Sequence, residues 1–284
     1  MASQGRIHNH TGIGAPFPCQ LPRTGRGPGP RLLTNLLRTQ TWREVTLGAS
    51  ASRVFRLTAP NTQETCYLKC SRIGTGPDLC GEKDRLVWLQ GKLPVPRVLS
   101  YEEDRDWQYL LISEVEGVPA CDPSFGQDPL SLVAMLAQGL RLIHSVRTES
   151  CPFDARLEAQ IARAHRRMLD GLVDETNFDP ARRGRTAREL YKELLRTRPP
   201  EEDLVFTHGD YCLPNVIIRD GRISGFVDLG EAGIADRYRD LALAARSIRH
   251  NLGPRWVMPF FHAYGLESPD RARIEFYQLL DEFF

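Results

Sequence analysis

The chain has 284 residues, 41% of them hydrophobic and 26% charged, the balance of a folded protein rather than a disordered or fibrous one. At about 150 residues per domain, that length predicts one large domain or two smaller ones. With 37 Lys and Arg against 36 Asp and Glu, the formal net charge is +1, without the excess of a general nucleic-acid or membrane binder. No apolar run approaches the ~20 residues of a membrane span. The seven cysteines are odd in number and contain no CxxC pair, so they read as reduced thiols of a soluble, cytoplasmic protein.

Residues 1–30 hold six Gly, five Pro, three Arg and no acid, which predicts a flexible extension unable to bury a core. It lacks the apolar stretch of a secretory signal and reads as dispensable. Beyond it, Trp42–Leu47, Arg53–Thr58 and Glu64–Cys70 are short β-prone runs. Asp78–Gln90 reads as a helix with Leu79, Leu86 and Leu89 on one face, stopped by Gly91 and Pro94. Arg97–Tyr101 and Trp107–Ser113 follow as strands. From Asp128 the period becomes helical, through Leu130, Val133, Leu136, Leu140 and Ile143. Further helices are expected over Ala155–Gly171, Thr186–Arg196, Asp236–His250 and Pro269–Glu282, interrupted by a β segment over Leu204–Asp228. This order predicts an α+β protein of two lobes, residues 31–115 and 116–284, joined near Ser113–Gly117.

The densest chemistry lies between Val205 and Asp228. Asp220-Gly221 between β-prone runs is a strong two-residue hairpin signal. Pairing across that turn sets Asn215 opposite Phe226 and Asp228 opposite Leu213, so Asn215 and Asp228 become diagonal neighbours within roughly 8 Å. An amide oxygen and a carboxylate so placed suit Mg²⁺ shared with substrate phosphates. Asp210 sits in a Gly-containing loop at the end of the preceding strand, where a carboxylate can orient a hydroxyl and accept its proton. His208 and His144 are read as buried, satisfied histidines, His208 ordering the loop.

His208-Gly209-Asp210-x4-Asn215 resembles the catalytic loop of the protein-kinase-like fold in the HGDxxxxN form of small-molecule kinases. Val227-Asp228-Leu229-Gly230 resembles its metal-binding segment. Cys151-Pro152-Phe153-Asp154, Gly171-Leu172-Val173-Asp174, Ala235-Asp236-Arg237-Tyr238 and the ending Phe276 to Phe284 are similar to aminoglycoside 3′-phosphotransferases. The resemblance runs from about Trp42 to Phe284. It implies a two-lobe α+β kinase-like fold. An antiparallel sheet with one helix would form the nucleotide-binding lobe, and a mainly helical lobe would carry the active-site hairpin. The implied activity is ATP- and Mg²⁺-dependent phosphorylation of an aminoglycoside 3′-hydroxyl, conferring antibiotic resistance, with no nucleic-acid, membrane or obligate protein partner.

The same resemblance assigns roles to individual residues. Lys69 would hold the α- and β-phosphates, paired with Glu82, and Tyr67, on the same strand face, would lie against adenine. Ser50, in Gly48-Ala49-Ser50-Ala51-Ser52, would belong to the loop over the phosphates. The backbone of Ser113-Glu114-Val115 would pair with the base. Asp281, Glu282, the terminal carboxylate of Phe284 and Asp179 would line the pocket for a polycationic acceptor. Two positions depart from the pattern: Thr176, where some relatives carry an acid, and Glu231, where they carry Arg.

Overall fold

In the computed structural model the described residues are 40–45, 52–60 and 64–284. Ser50 and residues 1–30 therefore lie outside them. Two units divide the chain after Val115: one contains the described residues up to Gln90 with Val95–Val115, the other Gly91–Pro94 with Glu116–Phe284.

The first unit is a five-stranded antiparallel sheet. Its strands are β1 (Thr41–Val45), β2 (Arg53–Thr58), β3 (Thr65–Arg72), β4 (Val98–Glu103) and β5 (Trp107–Ser113), in the order β1-β2-β3-β5-β4. Side-chain alternation sends Phe55, Leu57, Cys66, Leu68, Cys70, Tyr109 and Leu111 to one face, where they form a core with Trp42 and Trp107 packed against it. The register aligns Phe55, Leu68 and Leu111 across three strands. Tyr67 and Lys69 fall on the other face by the same period. Among the described residues of this unit the one helix is α1 (Leu79–Leu89), capped by Asp78, whose carboxylate accepts from the Cys80 N–H at 3.1 Å. The expected stripe Leu79, Leu86 and Leu89 is fully buried, and Glu82 shares that face.

The second unit is mainly helical. It comprises β6 (Val118–Pro119), α2 (Pro129–His144), α3 (Leu157–Leu169), α4 (Ala187–Arg196), β7 (Leu204–Thr207), β8 (Val216–Arg219), β9 (Arg222–Phe226), β10 (Gly233–Asp236), α5 (Arg237–Asn251), α6 (Val257–Tyr264) and α7 (Arg271–Asp281). Helix α2 buries Leu132, Val133, Leu136, Leu140 and Ile143, while Leu130, expected on that face, is exposed in the first turn. Strands β6 and β10 and helix α6 were not expected. The two strands are too short to show a period. Pro259 masks α6 in sequence, yet it sits in the first turn, where its missing N–H is tolerated.

The hairpin register also differs from expectation. Asp220 and Gly221 both take positive φ (51° and 70°), as a type I′ turn requires, and Arg219 pairs with Arg222 as anticipated. Between Ile217 and Ile218 the register then shifts, leaving Ser224 as the extra residue of a bulge. Val216, not Asn215, therefore faces Phe226, and the Asn215 carbonyl accepts from the Val227 N–H at 3.0 Å. Asn215 lies beside the residue preceding Asp228.

Candidate functional site

In the sheet unit, Lys69 Nζ meets Glu82 Oε1 at 2.6 Å, with the two side chains only 10% and 4% exposed. Burial makes each charge dependent on the other, which holds the ammonium in place on the sheet face. Tyr67 is on that face too. Its hydroxyl donates to Glu114 Oε1 at 3.5 Å, Arg56 reaches the same oxygen at 3.4 Å, and burial followed by the Glu114 charge raises the phenol pKa. Ser113 N–H is committed to the Arg97 carbonyl at 2.9 Å and Glu114 N–H to Thr65 at 3.4 Å.

In the helical unit, β7 delivers the loop His208–Asn215. His208 is fully buried. Its Nε2 bonds the Val227 carbonyl at 3.0 Å while Nδ1 accepts the Asp210 N–H at 3.3 Å, a pattern that selects the neutral Nε2–H tautomer. The histidine thus ties the loop to the segment entering Asp228. Gly209 takes φ +86°, and a Cβ there would collide with the Glu231 carbonyl, so two constraints converge on glycine. Asn215 Nδ2 donates to the Asp210 carbonyl at 3.0 Å and to its carboxylate at 2.9 Å. That orientation keeps Oδ1 out of both bonds. Asp228 stands in the left-handed region at φ 63°, a strained setting for a non-glycine residue and one that recurs at functional sites. Among the described residues there is no cluster of three or more His, Cys, Asp or Glu fit for a metal. A two-oxygen set such as Asn215 with Asp228 suits Mg²⁺, which keeps waters and substrate phosphates as its other ligands.

Burial raises the Asp210 pKa, and the charges of Asp281 and Asp228 push it further up against the hydrogen bond from Asn215. Asp281 is close enough for its charge to act on Asp210, and Arg246 joins Asp281 to Asp179. Glu282 bonds the Asp179 N–H at 3.1 Å and Arg182 at 2.9 Å, Arg182 reaches Asp179 at 3.3 Å, and Arg246 pairs with Asp281. Arg167 approaches the Phe284 carbonyl oxygen at 3.4 Å. The sequence led to the expectation of a pocket lined with carboxylates. The fold supplies guanidinium partners, because so many like charges in one place repel without counterions. Thr176 bonds Asp174 at 2.6 Å.

Glu231 is paired as well, with Arg163 at 2.6 Å and Arg239 at 3.2 Å. Burial pushes its pKa up, but the hydrogen bond from Arg163 and the charges of Arg239 and Arg163 outweigh it and hold the carboxyl at about 2. A depressed folded-state value stabilises the protein above the unfolded value of 4.5, an effect that fades as pH falls from there towards 2. With 35% of the side chain exposed, screening reduces the contribution to about 1–2 kcal/mol. Glu231→Gln is accordingly expected to lower urea-unfolding stability by that amount at pH 7 and by progressively less below pH 4.5, and an equal loss at every pH would refute the ion-pair account.

Asp240 escaped the sequence reading. Fully buried on α5, it accepts the His208 N–H at 2.7 Å, the Gly209 N–H at 2.8 Å and His144 Nε2 at 3.2 Å. Burial would raise its pKa, but the His144 hydrogen bond and the other partners hold it below the usual range. Tyr264 Oη contacts His144 Nδ1 at 2.7 Å, so this histidine is satisfied inside the core as expected. The available signal was an acid set flush against the apolar run Leu241–Ala245.

Residues 41–277 match the family described as Phosphotransferase enzyme family. An aminoglycoside 3′-phosphotransferase of Enterococcus faecalis is 40% identical, over 84% of this chain and 92% of its own length. One from Streptomyces fradiae is 39% identical, over 86% and 95%. The crystal structure of an aminoglycoside-3′-phosphotransferase of type VIII superposes with a TM-score of 0.81 at 35% identity, over 89% of this chain and 97% of that one. The aminoglycoside phosphotransferase APH(3″)-Id from Streptomyces rimosus, in complex with ADP and streptomycin, gives 0.74 at 30% identity over 89% and 97%. By these matches the chain belongs to the phosphotransferase enzyme family, a kinase on the two-lobe protein-kinase-like fold.

Proposed function

We propose that the chain transfers the γ-phosphoryl group of ATP to the 3′-hydroxyl of an aminoglycoside of the kanamycin or neomycin class. The observation that carries the reading is the neighbourhood of Asp210: a loop carboxylate held by Asn215 and close enough to Asp281 to feel its charge, beside Asp179 and Glu282. A polycationic acceptor would meet this acidic surface and present a hydroxyl to Asp210. The hydroxyl oxygen bonds to the γ-phosphorus, the bond to the ADP oxygen breaks, and Asp210 orients the hydroxyl and takes its proton. Asn215 and Asp228 would hold Mg²⁺, which neutralises charge on the phosphates when bound. Lys69, fixed by Glu82, would hold phosphate, Tyr67 would lie against adenine, and the Val115 backbone would pair with the base. Phosphate added to a cationic drug weakens its attraction to ribosomal RNA, so resistance is the expected consequence. Use of ATP fits a cytoplasmic location, and no described helix is long and apolar enough to cross a membrane.

An acceptor panel tests the reading. Kanamycin should be phosphorylated and a 3′-deoxy analogue should not. Removing Asp281–Phe284 should abolish turnover while ATP binding persists. Equal rates on both drugs would exclude the 3′-hydroxyl, and full kanamycin turnover by the trimmed enzyme would exclude the acceptor residues.

A further inference from the structure

The terminal Phe284 is gripped in a way that its carboxylate alone does not require. Two guanidinium groups of α3 cover its ring, Arg163 at 4.8 Å and Arg167 at 5.9 Å from the centroid. Positions 163 and 167 are four apart, so both side chains rise from one helix face. Arg167 also donates to the carbonyls of Phe283 at 2.6 Å and Leu172 at 2.9 Å. Arg163 is in turn held by Glu231 through two parallel bonds of 2.6 and 2.8 Å, the two-pronged form of a guanidinium–carboxylate pair. From the other side, the buried Arg239 donates to the Glu231 carboxylate and to its carbonyl, each at 3.2 Å. That same carbonyl abuts Gly209, one residue before Asp210. Glu231 therefore has its backbone against the loop that carries Asp210 and its side chain on the arginine that covers the terminal ring.

We propose that Glu231 and Arg163 are positioning residues. They form a clasp that sets the C-terminal segment, with Asp281, Glu282 and the terminal carboxylate, in register with the Asp210 loop, and thereby determine acceptor affinity. This rests on the reading above that the segment binds the acceptor. The side chains of Arg163 and Glu231 are 47% and 35% exposed, so an isolated pair would be weak. Its effect comes from sharing Arg163 between a carboxylate and a ring, each fixed elsewhere. Lysine keeps the charge but offers neither the planar fork nor the stacking face.

Steady-state kinetics on Arg163→Ala, Arg163→Lys, Phe284→Ala and the double variant Arg163→Ala/Phe284→Ala test the clasp, with melting temperature as a check on folding. Each single variant is expected to raise the kanamycin KM roughly tenfold and to leave the ATP KM unchanged. The double variant should be no worse than the singles, since both cut the same chain of contacts. Multiplying losses, an ATP KM that rises in step, an unchanged kanamycin KM, or full rescue by lysine would overturn the proposal. A wild-type enzyme that phosphorylates no aminoglycoside would overturn the functional reading first, and the clasp with it.

Discussion

Asp210→Ala is expected to lower the phosphoryl-transfer rate by about a hundredfold or more while the protein stays folded. The rate loss follows from the chemistry: in phosphoryl transfer the protein contributes positioning and electrostatics, and removing one such group typically costs two orders of magnitude. The folding expectation follows from the surroundings. Burial and the charges of Asp281 and Asp228 already oppose the ionised form of Asp210. Its removal relieves repulsion, and the hydrogen bond lost to Asn215 Nδ2 leaves that donor with the Asp210 backbone carbonyl. A coupled ADP-release assay beside a thermal melt separates the two statements. Equal rates for the variant and the wild type would remove the mechanism, whereas a large drop in melting temperature would show a structural role instead.

The second large effect concerns stability. Asp240→Ala strips one acceptor group from three donors, the His208 and Gly209 N–H groups and the His144 ring, all inside the core. Buried donors left without partners cost about 1–3 kcal/mol each, and removing one member of a buried charged network about 3–5 kcal/mol in all. Chemical denaturation should register a loss of that size, and activity should fall as well because the freed amides belong to the loop that carries Asp210. Asp240→Asn retains one oxygen and should fall between the two. A loss under about 1 kcal/mol for the alanine variant would show that water or a repacked side chain replaces the carboxylate.

Much of this arrangement was legible before any coordinates. Strand and helix runs, the Asp220-Gly221 turn and the buried stripe of α1 follow from residue type and short-range period, which act over a few residues whatever the rest of the chain does. The ordered set Asp210, Asn215 and Asp228 was readable for a related reason: the hairpin brings sequence-near residues together. The bulge at Ser224 that moved Asn215 beside Val227, the pairing of β7 with β10, and the reach of Asp240 beneath the His208–Gly209 amides were not readable. Neither was the ring of Arg163, Arg167, Arg182 and Arg246 around the acidic C-terminal segment. Each of these joins residues far apart in sequence or depends on which buried polar groups still need partners, and only packing settles that. Composition and local pattern dictated which chemical groups are present and which neighbours share a face; the closed fold decided which charges are neutralised, and by whom.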